Sequence, residues 1–209
     1  MLERKPIVLD THSISSNLNG KTILITGAAG SIGSEITRQV LSFNPKKIIV
    51  LDQAETPLHS LRLEINKLNQ EVLIRNVLAD VRNKVALEKV FEKYRPSVVY
   101  HAAAYKHVPL MEENPSQAVY TNVLGTKNLA DLSIQYGVER FVMVSTDKAV
   151  NPSSVMGASK RIAEKYVQTL HEKYREENTE IATKFITTRF GNVLGSNGSI
   201  VPLFSKQIL

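Results

Sequence analysis

The sequence predicts a doubly wound α/β fold, a parallel sheet with helices on both of its faces. Three observations carry this. Six short apolar runs alternate with amphipathic helical stretches. The runs are continuously apolar, as strands buried on both faces are, with no in-and-out alternation. The first run passes through a glycine-rich turn straight into a helix.

Residues 1–20 show no clear period and end in the turn-rich SSNLNG, so they read as a leader or linker. TILITGA (22–28) is a buried-strand run, and SIGSEITRQVLSF (31–43) is helical with Ile32, Ile36 and Val40 on one face. KKIIVLD (46–52) is the second strand, followed by a helix with Leu58, Leu61, Ile65 and Leu68 in register. EVLIRNVLAD (71–80) is the third, and the next helix carries Leu87, Val90, Phe91 and Tyr94. SVVYHAAA (97–104) is the fourth strand. A long helix is expected over 114–137, closed by Gly137. RFVMVST (140–146) is the fifth strand, and a helix over 157–177 should turn Ile162, Tyr166, Leu170 and Tyr174 inward. KFITTRFGNV (184–193) is the sixth strand. The remaining residues are loop-rich, then apolar from Ile200 to Leu209.

Composition narrows the function classes. The chain has 209 residues, 43% hydrophobic and 22% charged, enough for a sizeable core. It has no cysteine, which excludes thiol catalysis and disulfides and agrees with a reducing, cytoplasmic setting. No apolar run approaches the roughly 20 residues of a membrane span, and no signal peptide opens the chain. The net charge of +6 comes without a basic cluster or nucleic-acid motif. It reads as a solvated surface, so no nucleic-acid partner is expected; a domain lying near anionic lipid is the other reading. The histidines lack metal-ligand spacing, and no metal is expected.

The turn ITGAAGSIGSEI is the first site signal. Gly27, Gly30 and Gly33 have the spacing G-x-x-G-x-x-G between a strand and a helix. Such glycines let backbone approach a pyrophosphate, and Ala29, Ser31 and Ile32 complete the loop at a helix N-terminus rich in free N–H groups. Asp52 ends the second strand, where a carboxylate accepts both ribose hydroxyls of NAD and repels the 2′-phosphate of NADP. Asp80 and Val81 end the third strand. There Asp80 can meet an adenine amino group, cap the next helix, or do both. Ala102, Ala103 and Ala104 leave room for a nicotinamide ribose. The fold class is therefore an NAD(P)-binding Rossmann-like sheet over 21–195, with NAD as cofactor and 196–209 opening an incomplete substrate-binding region.

These residues resemble the extended short-chain dehydrogenase/reductase superfamily. The resemblance narrows with TGAAGSIGSE, HAAAYKHVPLMEENP, TNVLGTKNLA, VSTDKAVNPSSVMGASKR and RFGNVLGSNGSIVPLF. Together they are similar to the CapD-type nucleotide-sugar 4,6-dehydratases of bacterial polysaccharide biosynthesis, above all the long, membrane-anchored UDP-N-acetylglucosamine 4,6-dehydratases of capsule and O-antigen pathways. The resemblance runs from about residue 21 to the end. It implies a UDP-N-acetylhexosamine substrate, and a chain that is a truncated soluble part, meeting membrane only through segments it lacks. The truncation should leave apolar surface near Ile200–Leu209 and favour homo-oligomers, with little turnover by the chain alone.

One position departs from most of the superfamily. Four residues before Lys160, where relatives carry a catalytic tyrosine, stands Met156, a feature that the resemblance extends to the long type. The resemblance implies Thr146 as the hydroxyl at sugar O4, Asp147 as general acid for the leaving C6 hydroxyl, and Lys148 as base at C5. Lys148 must lose its proton to act, which calls for burial or positive neighbours. Lys160 is implied to bind the nicotinamide ribose. Ser145 is an alternative to Thr146, and either Asp147 or a water takes the O4 proton. Lys106 and His107 read as contacts to pyrophosphate or sugar, or as a solvated loop. Asn192 is implied to contact the substrate diphosphate, and Asn122 on the long helix reads as holding backbone near the active strand, a structural role. A nucleotide-sugar epimerase and a non-catalytic NAD-binding fragment are the alternative functions.

Overall fold

The computed structural model describes residues 10–68, 71–176, 183–191 and 193. Six parallel strands form one sheet: β1 (Thr22–Thr26), β2 (Lys47–Asp52), β3 (Leu73–Leu78), β4 (Val98–His101), β5 (Arg140–Thr146) and β6 (Lys184–Phe190). Their order is β3-β2-β1-β4-β5-β6. The chain therefore moves outward in one direction over β1–β3, then restarts beside β1 and moves the other way. That reversal opens a crevice between the carboxyl ends of β1 and β4, the place where such sheets hold ligands.

The apolar runs form strands because both of their faces are covered. Ile23, Ile25, Ile48 and Val50 point to one side, against Val40 of α2 (Ser31–Leu41) and Leu58, Leu61 and Ile65 of α3 (Glu55–Leu68). Leu24, Ile49, Leu51, Val99, Phe141 and Met143 point to the other. There they meet Leu87, Val90 and Phe91 of α4 (Lys84–Tyr94), Leu129 and Leu132 of α7 (Gly125–Gln135), and Ala163 and Val167 of α8 (Val155–Glu176). Each large side chain so buried contributes about 1.5–3 kcal/mol. Between β4 and α7 lie the short helices α5 (Val108–Glu113) and α6 (Pro115–Ala118) and a π-helical turn, Val119–Leu124. No described helix is long and apolar enough to cross a membrane.

Four expectations change. Residues 11–18, within the stretch read as linker, form α1 (Thr11–Leu18), capped by the Asp10 side chain, and Leu18 is buried in the core. The expected helix over 114–137 is interrupted by the π turn, where the Gly125 N–H reaches back to the Tyr120 carbonyl. Leu68 and Ile162 are exposed, at 62% and 53%. Leu68 sits at the last turn of α3, past the point where that helix faces the sheet. On α8, Tyr166 and Leu170 pack against the core as expected, and the fully buried stripe beside them runs through Lys160, Ala163, Glu164 and Val167.

Candidate functional site

The glycine turn has the geometry of a cradle. Gly27 is in the left-handed region at φ +66°, and a Cβ there would stand 2.5 Å from the Ala103 nitrogen. Gly33 is tighter still, since its Cβ would fall 2.1 Å from the Gly27 carbonyl oxygen. Backbone thus occupies the space side chains would need, which brings the start of α2 against β1 and β4. Gly30 precedes α2 without a side-chain cap, so the turn sets the amino end of α2 at the cradle.

Gly27, Gly30, Asp52, Val81, Ala102, Ala103 and Ala104 line one pocket at the β1/β4 reversal. Asp52 also locks the cradle, accepting the Ala29 N–H at 2.9 Å and the Ala54 N–H at 3.0 Å. Asp80 does not cap α4, because Asn83 does. Its carboxylate instead pairs with Arg82 at 2.5 Å, and the hydrogen bonds from Arg82 outweigh burial to hold its pKa below the usual carboxylate range. Ile32 turns its side chain into a different, apolar groove with Ile36, Val142 and Phe190.

The pocket includes residues that sequence reasoning missed. Gln53 and Tyr105 stand on its rim, joined by a 3.4 Å hydrogen bond. Thr121 reaches it from the π turn, and its buried hydroxyl has no hydrogen-bond partner among the described residues. A buried hydroxyl without a partner is costly unless something else supplies one. The only sequence signal was its place beside Asn122, whose roles are clear. Asn122 accepts from the Tyr105 N–H at 2.8 Å and donates to the Tyr105 carbonyl at 3.0 Å and to Ser159 at 2.9 Å. It ties the loop after β4 to both the π turn and α8.

A second cluster forms at the carboxyl end of β5. The Thr146 hydroxyl donates to Asp147 at 2.9 Å, accepts from the Lys148 N–H at 3.3 Å, and the Lys148 ammonium reaches Asp147 at 3.2 Å. The hydrogen bonds from Thr146 and Lys148 hold Asp147 below the ordinary carboxylate range, so it is ionised. Burial of Lys148 is not found, for its side chain is 42% exposed. Gly157 lets α8 press on this turn, since a Cβ would lie 2.5 Å from the Lys148 carbonyl.

Lys160 is buried and donates to the Val144 carbonyl at 2.7 Å, and burial brings its pKa down to about 8. Met156 is buried against Met111 and Ala118. His101 is bracketed by Thr26 at 2.8 Å and Thr126 at 2.9 Å. The Thr126 hydroxyl donates to the Asn122 carbonyl at 2.7 Å, so His101 Nε2 carries the proton toward Thr126 and Nδ1 accepts from Thr26. Burial, then the Lys160 charge, pushes its pKa to about 3. Lys106 and His107 are exposed, beyond the pocket. Asn192 lies outside the described residues.

The family profile described as "Polysaccharide biosynthesis protein" matches residues 23–209. The chain is 52% identical, over its whole length, to the capsular polysaccharide biosynthesis protein CapD of Staphylococcus aureus, and spans 34% of that protein. It is 37% identical over 91% of its length to a UDP-N-acetylglucosamine 4,6-dehydratase (inverting) of Campylobacter jejuni, covering 54% of that enzyme. Among solved structures, Pen from Bacillus thuringiensis superposes with a TM-score of 0.84 at 34% identity, over 91% of this chain and 56% of that one. A UDP-glucose 4-epimerase of Thermus thermophilus in complex with NAD superposes at 0.66 and 29% identity, over 80% of this chain and 54% of that one.

Proposed function

Because the chain belongs to the polysaccharide biosynthesis protein family, we propose that it is the catalytic nucleotide-binding part of a UDP-N-acetylhexosamine 4,6-dehydratase, with UDP-N-acetylglucosamine as the first substrate to test. The observation that carries this reading is the Thr146–Asp147–Lys148 turn, together with a buried, non-ionisable Met156 four residues before Lys160. The proton-transfer groups stand on the strand end, and the position four before Lys160 is given to packing.

NAD is the cofactor, and the residues present fit it. The glycine cradle leaves room for a pyrophosphate, Asp52 stands at the end of β2 for the ribose hydroxyls, and Thr121 offers an unused hydroxyl. Bound there, NAD supplies the hydride acceptor and donor that couples oxidation at C4 to reduction at C6.

The chain's own residues move the protons. The Thr146 hydroxyl meets O4, and its proton is directed at ionised Asp147. Asp147 thus receives the O4 proton through Thr146. The C4 ketone acidifies the C5 proton, which neutral Lys148 removes. Asp147 returns its proton to the hydroxide leaving C6, and water departs. Lys148 then gives its proton back to C5, so the sum is one sugar converted and one water lost. Bound substrate and cofactor supply the desolvation that Lys148 lacks in the described residues.

Incubation with UDP-N-acetylglucosamine and mass spectrometry test the reading. A product lighter by one water is expected. An isomer of unchanged mass would assign epimerisation, and no product with any UDP-N-acetylhexosamine would leave binding alone. Calorimetry should show NAD bound more tightly than NADP, with Asp52→Ala shrinking the difference.

A second measurement concerns Thr121. Thr121→Val keeps the shape and removes the hydroxyl. NAD affinity should fall roughly fivefold, the worth of about one neutral hydrogen bond. The melting temperature of the protein without nucleotide should hold or rise, since a partnerless buried hydroxyl is gone. Unchanged affinity would remove Thr121 from the site.

A further inference from the structure

Glu164 is a buried carboxylate that the proposed chemistry does not use. It lies on α8 one turn beyond Lys160, so the two side chains share a face, and both are buried. Its own side chain has no exposed area. Arg189 of β6 grips it with a fork, Nε to Oε1 at 2.8 Å and Nη2 to Oε2 at 2.6 Å. Arg161 of α8 adds a bond to Oε2 at 3.2 Å. Burial works to raise the pKa of Glu164, but Arg189, then the Ser145 side chain, then Arg161 hold it below the usual range. A buried ion pair is weak evidence of stabilisation, because an apolar pair of similar volume would hold α8 to β6 as well. The charge of Glu164 therefore needs another account.

Lys160 supplies one. Its ammonium has left water for a carbonyl bond to Val144, the one it makes among the described residues, and burial works against its charge. From β4 it meets His101, which is uncharged at neutral pH. On α8 itself Glu164 lies one turn on, and its negative charge favours the ammonium. From β6, Arg189 stands behind Glu164 and tempers that field.

We propose that Glu164 is a positioning residue for Lys160: the Arg189 fork fixes the carboxylate one helical turn away, and its charge keeps the buried ammonium protonated for the bound nucleotide. The proposal rests on the reading that Lys160 contacts the cofactor. Lysine held charged below its midpoint contributes binding that is present at lower pH and lost as pH rises through that midpoint.

The test tracks Lys160 directly, by NMR of isotope-labelled lysine Cε atoms in the 209-residue chain without nucleotide, with Lys160→Arg to assign the signal. Glu164→Gln should lower the Lys160 midpoint by about one pH unit or more, whereas Glu164→Asp, which keeps the charge, should leave it within a few tenths. The alkaline limb of NAD affinity should move with it in the Gln variant and stay in the Asp variant. No movement in Glu164→Gln, or equal movement in both variants, overturns the proposal. If Glu164→Gln does not fold, Arg189→Gln carries the test by taking away the fork that keeps Glu164 ionised. The Lys160 midpoint should then fall, and a rise or no change overturns the proposal. A shifted midpoint with no matching limb in NAD affinity upholds the Glu164–Lys160 coupling and sinks the cofactor role of Lys160 instead.

Discussion

Lys148→Ala is expected to stop the reaction half way. The variant should still oxidise C4, because the Thr146–Asp147 pair that receives the O4 proton is untouched. It should fail at C5, where no other base stands among the described residues of the turn. With protein in excess over UDP-N-acetylglucosamine, the absorbance of reduced nicotinamide should rise and persist, while dehydrated product falls by roughly a hundredfold or more. Asp147→Asn gives the complementary result. It removes both the acceptor of the O4 proton and the acid at C6, so oxidation and water loss should slow together. Met156→Leu is the control. It is close in volume and equally unable to ionise, so the apolar cluster with Met111 and Ala118 should repack and most activity should remain. An inactive Met156→Leu beside a nearly normal Lys148→Ala would overturn the assignment.

Gly33→Ala should abolish nucleotide binding through backbone geometry alone. Its Cβ would lie 2.1 Å from the Gly27 carbonyl oxygen and 2.7 Å from Ala28 Cα. Neither is the end of a flexible side chain, so the start of α2 must move off β1. The backbone of the cradle proposed to hold a pyrophosphate moves with it. NAD affinity should drop about a hundredfold or more, and stability by about 1–3 kcal/mol, the usual cost of overpacking. Gly137→Ala separates the two effects. That residue also has positive φ, +68°, but nothing stands within 4 Å of a Cβ there. It should lower stability by roughly 1 kcal/mol of backbone strain and leave calorimetric NAD affinity as it was.

The strands and the cradle were legible because their causes are local. Continuous apolar runs need two covered faces, and the Gly27–Gly33 spacing needs a close backbone approach. The helix faces were less legible. α8 turns Lys160 and Glu164 inward with Ala163 and Val167, and a reading by hydrophobic period cannot count charged residues as core. α1 was hidden by its serines; Ile14 and Leu18, four apart, were its one apolar signal. The cap reading of Asp80 failed because sequence does not show that Asn83 caps α4 and that Arg82 folds back on Asp80. Thr121 had no signal of its own, because a missing hydrogen-bond partner exists only in three dimensions.

The π turn at Val119–Leu124 bears on how this chain tolerates insertions and deletions. A π turn holds one residue more than an α turn, so it behaves as an accommodated insertion. Deleting one residue there would restore an unbroken helix at little local cost. It would also rotate everything before the cut by about 100° relative to α7, one residue's share of a 3.6-residue turn. Thr121 would leave the pocket, and Asn122 would lose either Tyr105 or Ser159. The segment is thus soft to length change as a helix and hard to it as a site. Protein engineers grafting this loop between relatives should keep its residue count before its residue identities.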